Sequence, residues 1–144
     1  MAASSHWLFW AALAAVFAAL TAVFAKAGLQ DVDADFATLL RTGFILVLLA
    51  VFVFVAGKWR NPGTLTPATW GWLLASALAT GASWICYFRA LKIGEASKVA
   101  AVDKLSLLLV AVFAFFFLHE RLNLREWAGV ALMTGGVLLL ALKR

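Results

Sequence analysis

Five apolar stretches, each long enough to cross a bilayer, fill almost all of this 144-residue chain. A bilayer-spanning helix needs about 20 mainly apolar residues, and the sequence predicts such helices over about 7–25, 36–57, 68–88, 96–118 and 124–142. An odd number of crossings places the two ends of the chain on opposite sides of the membrane. A second, inverted copy would then be related to the first by a two-fold axis in the membrane plane, the symmetry of inverted-repeat membrane proteins.

Composition agrees with a chain that lipid surrounds. Hydrophobic residues make up 65% and charged residues 13%, whereas soluble domains typically have about 45–50% and about 25%. Backbone groups inside a bilayer must bond within the chain, which favours helices. We therefore predict an all-α membrane protein with a single transmembrane domain over residues 1–144. The net charge of +5 comes from basic residues scattered at helix ends, so we expect a lipid bilayer as partner and no nucleic acid.

The sequence leaves the orientation of the chain in the membrane open. Cytoplasmic loops usually carry the excess of Lys and Arg. The side of the N-terminus carries four such residues in loops, and the opposite side with the C-terminus carries five. They are Lys58, Arg60, Arg121 and Arg125 on the first side, and Arg89, Lys92, Lys98, Lys143 and Arg144 on the second. With so small a bias, insertion in both directions and one fixed orientation are both consistent with the sequence.

Charged residues inside the spans form one predicted cluster. Short loops make sequential spans antiparallel, so the odd spans end, and the even spans begin, on the side opposite the N-terminus. Lys26, Arg41, Asp103 and Lys104 are therefore predicted at a similar depth near that side, together with Tyr87 and Arg89. Ionisable groups in a span are costly and indicate function. We predict an Arg41–Asp103 ion pair, with Lys104 pointing elsewhere; the alternative is that the cations only reach the lipid headgroups.

Polar and aromatic residues of the third span predict a pathway wall. Thr80, Ser83 and Tyr87 recur at helical spacing, with Trp84 beside them. Trp10 of the first span is predicted to face the same cavity. The alternative is that the hydroxyls bond to neighbouring helices and that the Trp residues belong to the interfacial aromatic belts.

A stripe of small residues on the fifth span, Ala128, Ala131 and Gly135, predicts close helix packing within or between subunits. Signs of an enzyme are absent from the sequence. His6 and His119 have no ligand-spaced carboxylates, and Cys86 is a single cysteine. We predict no catalytic residue, no cofactor and no metal site.

Three motifs near the C-terminus resemble a known family. They are A-L-x-x-G-x-A-S before the fourth span, F-x-x-L-x-E-R-L after it and W-x-G-x-x-L-x-x-x-G-V in the fifth span. This pattern resembles the EamA repeat of the drug/metabolite transporter superfamily, in its five-helix, single-repeat form. Two positions depart from the family pattern. His119 stands where Gly is common, so we expect a local effect there, and Asp103 lies near a position where many relatives have Pro.

The resemblance implies one half of an inverted-repeat transporter in the cell (inner) membrane. It implies a secondary transporter that moves small organic solutes by alternating access, with an antiparallel second copy or a five-helix relative as partner. Three cations, Lys26, Arg41 and Lys104, outnumber Asp103, which favours an anionic or zwitterionic solute. Two alternatives stay open: a small-multidrug-type cation/proton antiporter, and a non-transporting membrane subunit of a heteromer.

Overall fold

The computed structural model describes residues 3–142, with side chains from residue 6 onward; Lys143 and Arg144 of the orientation argument lie outside this range. Over it the chain is helical and contains no strand, which confirms the predicted fold class. The helices are α1 (Ala3–Gly28), α2 (Ala34–Val55), α3 (Pro67–Ile93), α4 (Ala96–Asp103), α5 (Ser106–Phe113) and α6 (Leu124–Ala141). A 3₁₀ turn covers Pro62–Thr64, and a π-helical turn covers Ala114–Leu118.

Five helical segments in the described range are long and apolar enough to cross a membrane. They are His6–Gly28, Ala34–Val55, Pro67–Ile93, Ala96–Leu118 and Leu124–Ala141. The fourth combines α4, α5 and the π-helical turn. Large apolar side chains stay exposed along the spans, for example Phe44 at 75% and Leu132 at 78%. Because water would disfavour this much exposed apolar surface, the surface is suited to contact with lipid.

The chain divides into two compact units. The central unit is Phe24–Ile93, and the flanking unit contains the described residues up to Val23 and from Gly94 onward. The single domain over residues 1–144 stays a prediction.

In the central unit, α2 packs against α3, and local signals fix the helix ends. Asp33 caps α2, because its Oδ1 accepts hydrogen bonds from the amides of Asp35 and Phe36, both at 3.0 Å. The same helix ends at Val55, and Gly57 follows two residues later with a φ of 64°, which suits glycine. Buried apolar residues cluster near the end of α3 and the segment after α1, where Leu91 and Leu29 are 0% and 2% exposed.

In the flanking unit, α6 packs against α4 and α5. Asn123 and Glu126 form a capping box at its start: Asn123 Oδ1 accepts from the Glu126 amide at 3.0 Å, and Glu126 Oε2 accepts from the Asn123 amide at 2.7 Å. Val130 and Val137 form the buried face of the helix. His119 ends the π-helical turn in the left-handed region, with φ of 55°, where many relatives were expected to have Gly.

The predicted packing stripe on α6 is exposed in the chain. Ala128, Ala131 and Gly135 all lie outside the buried face, and a Cβ added to Gly135 would meet open space. Packing of this stripe between subunits stays a prediction.

Candidate functional site

Arg41 lies inside the second span and contacts two aromatic rings of α3. Its guanidinium carbon is 4.6 Å from the ring centroid of Trp84 and 5.1 Å from that of Phe88. Both distances fall within the range of a cation–π interaction. The Nη1 atom is buried and has no hydrogen-bond partner among the residues that the structure describes. The central unit therefore holds a cation inside a span, with aromatic contacts and an unfilled donor.

Asp35 and Arg89 join the start of α2 to the end of α3. Arg89 Nε donates to Asp35 Oδ1 at 2.8 Å, and Arg89 Nη2 donates to Asp35 Oδ2 at 2.6 Å. This bidentate arrangement is the strong geometry of an Arg–carboxylate pair. Both side chains remain about half exposed or more, at 64% for Arg89 and 47% for Asp35, which fits a position at helix ends.

Two lysines bind the carbonyl groups at the helix ends of the same unit. Lys26 Nζ donates to the Leu91 carbonyl oxygen at 2.7 Å, close to the end of α3. Lys92 Nζ donates to three carbonyl oxygens just after α1, those of Leu29, Gln30 (2.8 Å) and Val32 (3.0 Å). Carbonyls at a helix end lack intrahelical partners and carry partial negative charge. We call Lys26, Asp35, Arg89 and Lys92 the helix-end cluster.

The flanking unit contains an irregular turn inside the fourth span. Four backbone hydrogen bonds there run from residue i to residue i−3 instead of i−4: Lys104 to Ala101, Leu105 to Val102, Leu107 to Lys104 and Leu108 to Leu105, at 2.9–3.1 Å. This tightened stretch separates α4 from α5 without a proline. Mid-helix 3₁₀ geometry often marks a hinge, and interrupted helices form the binding sites of many transporters.

Asp103 and Lys104 lie at this turn. Lys104 Nζ is 3.5 Å from Asp103 Oδ2, so the expectation that Lys104 points away from Asp103 is wrong. Neighbouring residues on a helix point about 100° apart, but the long lysine side chain is flexible enough to reach back. Arg41 and Asp103 belong to different units, and their ion pair stays a prediction.

The predicted pathway residues are distributed over both units. The hydroxyl of Thr80 is exposed and donates to the Ser76 carbonyl oxygen at 2.9 Å, within its own helix. Tyr87 makes an edge contact with Phe88, with ring centroids 6.2 Å apart. Trp84 lies against Arg41, as described above, and Ser83 is exposed. In the flanking unit Trp10 is 65% exposed and contacts Phe9 edge-on. Their role as a pathway wall stays a prediction.

Sequence analysis missed the roles of Asp35 and Lys92. Arg89 and Lys92 were counted as loop charges for orientation, but α3 continues to Ile93 and carries both. A signal for Asp35 was present. Antiparallel spans bring the start of the second span and the end of the third to the same side, where Asp35 and Arg89 both lie.

The arrangement defines a helical membrane protein with charged residues held inside its spans. The chain belongs to the EamA-like transporter family, whose model matches residues 5–142. It is therefore a multi-pass membrane protein of a transporter family, as the motifs near the C-terminus indicated.

Several relatives are named as transporters. An "Uncharacterized transporter in cobO 3'region" of Sinorhizobium sp. is 54% identical over 138 residues, which cover 96% of this chain and 98% of the relative. Another relative, from Pseudomonas fluorescens, is named as a probable 4-amino-4-deoxy-L-arabinose-phosphoundecaprenol flippase subunit ArnE. It is 34% identical over 93 residues, which cover 61% of this chain and 79% of the relative. An uncharacterized transporter of Vibrio cholerae is 30% identical over 67% of this chain but only 33% of its own length. No solved structure matches the chain.

Proposed function

We propose that this chain is one half of a secondary transporter for small organic solutes in the cell (inner) membrane, completed by an inverted second copy. The observation that carries the proposal is a transporter-family match over residues 5–142 on a chain with five spans. The lengths of the relatives support it. The 99 residues aligned to the Vibrio cholerae transporter are 33% of that protein, which is thus about twice as long as this chain. Family membership also favours a non-enzymatic role.

The two units suggest how such a half transporter changes conformation. Alternating access requires two states, and a solute shifts their balance only by its differential affinity for them. The irregular turn at Asp103–Leu105 supplies backbone that can rearrange, whereas the helix-end cluster holds the central unit in one arrangement. In the proposed cycle, Arg41 and Asp103 pair in one state and separate in the other.

Uptake into vesicles tests the transport proposal. Purified protein in liposomes is expected to give saturable uptake of at least one component from a mixture of radiolabelled carboxylate, phosphate and amino-acid metabolites. Empty liposomes and liposomes with an unrelated five-span protein are the controls. Uptake no greater than in these controls, from protein that remains folded and reconstituted, contradicts transport.

Labelling of a single cysteine tests the inverted copy. In a Cys86→Ala background, Thr64→Cys places one thiol in the exposed turn between α2 and α3. If insertion occurs both ways, a membrane-impermeant maleimide labels about half of the chains in intact cells and all of them after permeabilisation. One uniform orientation, in cells with no oppositely inserted relative, contradicts the antiparallel homodimer.

The exposed stripe on α6 offers a second test of the dimer. Gly135→Leu adds bulk to the stripe, and Gly43→Leu adds the same bulk to α2, where a Cβ also meets open space. If the stripe packs between subunits, Gly135→Leu lowers the yield of chemically crosslinked dimer in membranes and Gly43→Leu does not. Equal dimer yields would exclude the stripe from the interface.

A second candidate function is a subunit of a heteromer. It is favoured by the relatives named ArnE, each of which is named as a flippase subunit. A strict monomer by mass measurement in detergent, together with specific capture of a separate five-helix protein from the same membrane, favours the heteromer. A homodimer in the same measurement favours the first candidate.

A cation/proton antiporter of the small-multidrug type needs an unpaired carboxylate inside a span. Asp103 lies 3.5 Å from the Lys104 ammonium, so it is not an unpaired carboxylate. We therefore expect Asp103→Asn to leave any proton coupling of uptake unchanged in a vesicle assay with an imposed pH gradient. Loss of coupling without loss of uptake would support the antiporter.

A further inference from the structure

We propose that Arg41 is the receptor for an oxyanion group, a carboxylate or a phosphate, that binds beside the rings of Trp84 and Phe88. The inference rests on the proposed transport function and names the chemical class of solute that the site takes. It assigns to a single side chain the preference that sequence analysis drew only from the excess of cations.

The first support is the unfilled hydrogen-bonding capacity of Arg41. A guanidinium carries five N–H donors and accepts no hydrogen bond. Nη1 is buried, and nothing in the described part of the chain accepts from it. A buried charged donor without an acceptor is expensive, and such a group in a folded protein indicates a partner that is not part of the chain.

Neighbouring polar groups on α2 are already engaged. The Thr42 hydroxyl donates to the Thr38 carbonyl oxygen at 2.7 Å, within the helix. Asp35, the carboxylate that precedes Arg41 on the same helix, uses both of its oxygens to accept from Arg89. The Asp35 carboxylate is therefore engaged at the helix end and does not accept from Arg41.

The second support is the way in which the rings hold the guanidinium. Trp84 and Phe88 lie one turn apart on α3 and contact Arg41 through their ring faces, with centroids 4.6 Å and 5.1 Å from its carbon. A cation–π contact satisfies the charge of the guanidinium without supplying an oxygen acceptor for its N–H groups. The donors remain free to bind two oxygens of a carboxylate or phosphate in the bidentate geometry that arginine favours.

The depth of Arg41 in the span strengthens its interaction with an oxyanion. Arg41 follows Asp35 by six residues, which is about 9 Å along a helix. The receptor thus lies inside the span, where low dielectric strengthens a charge pair relative to water. Two sources can supply the oxyanion: a solute from water, or the phosphate of an anionic lipid headgroup.

The test measures binding to the delipidated protein in a neutral detergent. Benzoate is the soluble probe, and benzamide, of the same shape and neutral, is its control. Wild type is compared with Arg41→Gln, with Arg41→Lys, which keeps the charge but loses the fork, and with Arg125→Gln in the other unit. We expect benzoate but not benzamide to raise the melting temperature. Arg41→Gln is expected to weaken benzoate binding about tenfold or more, Arg41→Lys to weaken it less, and Arg125→Gln to leave it unchanged.

A parallel arm identifies the source of the oxyanion. Short-chain phosphatidylglycerol replaces benzoate, with short-chain phosphatidylcholine as its control. An Arg41-dependent response to benzoate supports a solute anion, and one to phosphatidylglycerol alone supports a lipid headgroup. If neither probe gives a response that depends on Arg41, the inference is overturned.

A chemical measurement on wild type covers the case in which the Arg41 variants do not fold. Phenylglyoxal modifies arginine, and peptide mass spectrometry reads each site. Benzoate or phosphatidylglycerol is expected to slow modification of Arg41 and not of Arg125; equal rates overturn the inference. Saturable vesicle uptake without oxyanion binding contradicts this inference alone. Oxyanion binding without any uptake contradicts the proposed transport function.

Discussion

The central and flanking units hold their helices together in different ways. In the central unit, charged side chains link segments far apart in sequence, as in the pair of Arg89 and Asp35 and in the bonds from Lys92 to the end of α1. In the flanking unit, charged side chains bond locally, for example Lys98 with Glu95 at 2.9 Å, and α6 packs against α4 and α5. Directional bonds therefore fix the central unit, while the flanking unit can rearrange without breaking such bonds between its helices.

The backbone shows the same contrast. The helices α2 and α3 run without interruption for 22 and 27 residues. The fourth span is divided by the turn at Asp103–Leu105 and ends in the π-helical turn. Since tight and wide helical turns often mark functional sites, the flanking unit is where we expect movement.

Removal of Lys92 is the strongest test of this contrast. Lys92→Ala deletes three hydrogen bonds from a charged donor to carbonyl oxygens, and we expect it to lower the free energy of unfolding by about 1–3 kcal/mol. Lys98→Ala is the matched control in the flanking unit. It removes one i,i+3 pair, worth about 0.3–0.5 kcal/mol. Thermal unfolding in detergent measures both, and equal losses would contradict the contrast.

Hydrogen exchange measures the same contrast along the backbone. Amides of residues 104–108 are expected to exchange about tenfold faster than those of residues 84–88, which lie inside the uninterrupted helix α3. Such a ratio corresponds to about 1.4 kcal/mol in local opening. Mass spectrometry of protein in nanodiscs makes the measurement. Comparable protection in the two segments would show that the turn is no weaker than a regular helix.

The capping box gives the smallest effect. Asn123→Ala removes the acceptor for the Glu126 amide and is expected to cost about 1 kcal/mol. Asp33→Ala removes the corresponding cap of α2 in the central unit, where the helix-end cluster also holds the start of the helix. We therefore expect a smaller loss for Asp33→Ala, measured by the same thermal unfolding. A larger loss at Asp33 would mean that the cluster does not support this helix end.

The sequence predicted the helices well because lipid imposes a simple requirement. Each span must be long, apolar and internally bonded, and residue type along the chain is enough to recognise it. The rotation of each helix about its axis was harder to predict. The fifth span is apolar on most sides, so its small residues suggested the packed face, whereas Val130 and Val137 form it within the chain.

The candidate site was predictable in part for a related reason. Depth along a span follows from counting residues, and this brought Arg41 and Tyr87 to one level. Partners depend on which way each side chain projects and how far it reaches. The contact of Arg41 with Trp84 and the ion pair of Arg89 with Asp35 could therefore be identified only from the structure.

The bond from Lys92 to Leu29 has a consequence for biosynthesis. The two residues are 63 positions apart. The carbonyl groups that follow the first helix therefore have no Lys92 donor until most of the third helix has been synthesised. Until Lys92 leaves the ribosome, the first hairpin is inserted but not secured. Arrested nascent chains that still hold Lys92 inside the ribosome should thus be easier to extract from the translocon than chains long enough for Lys92 to have left it.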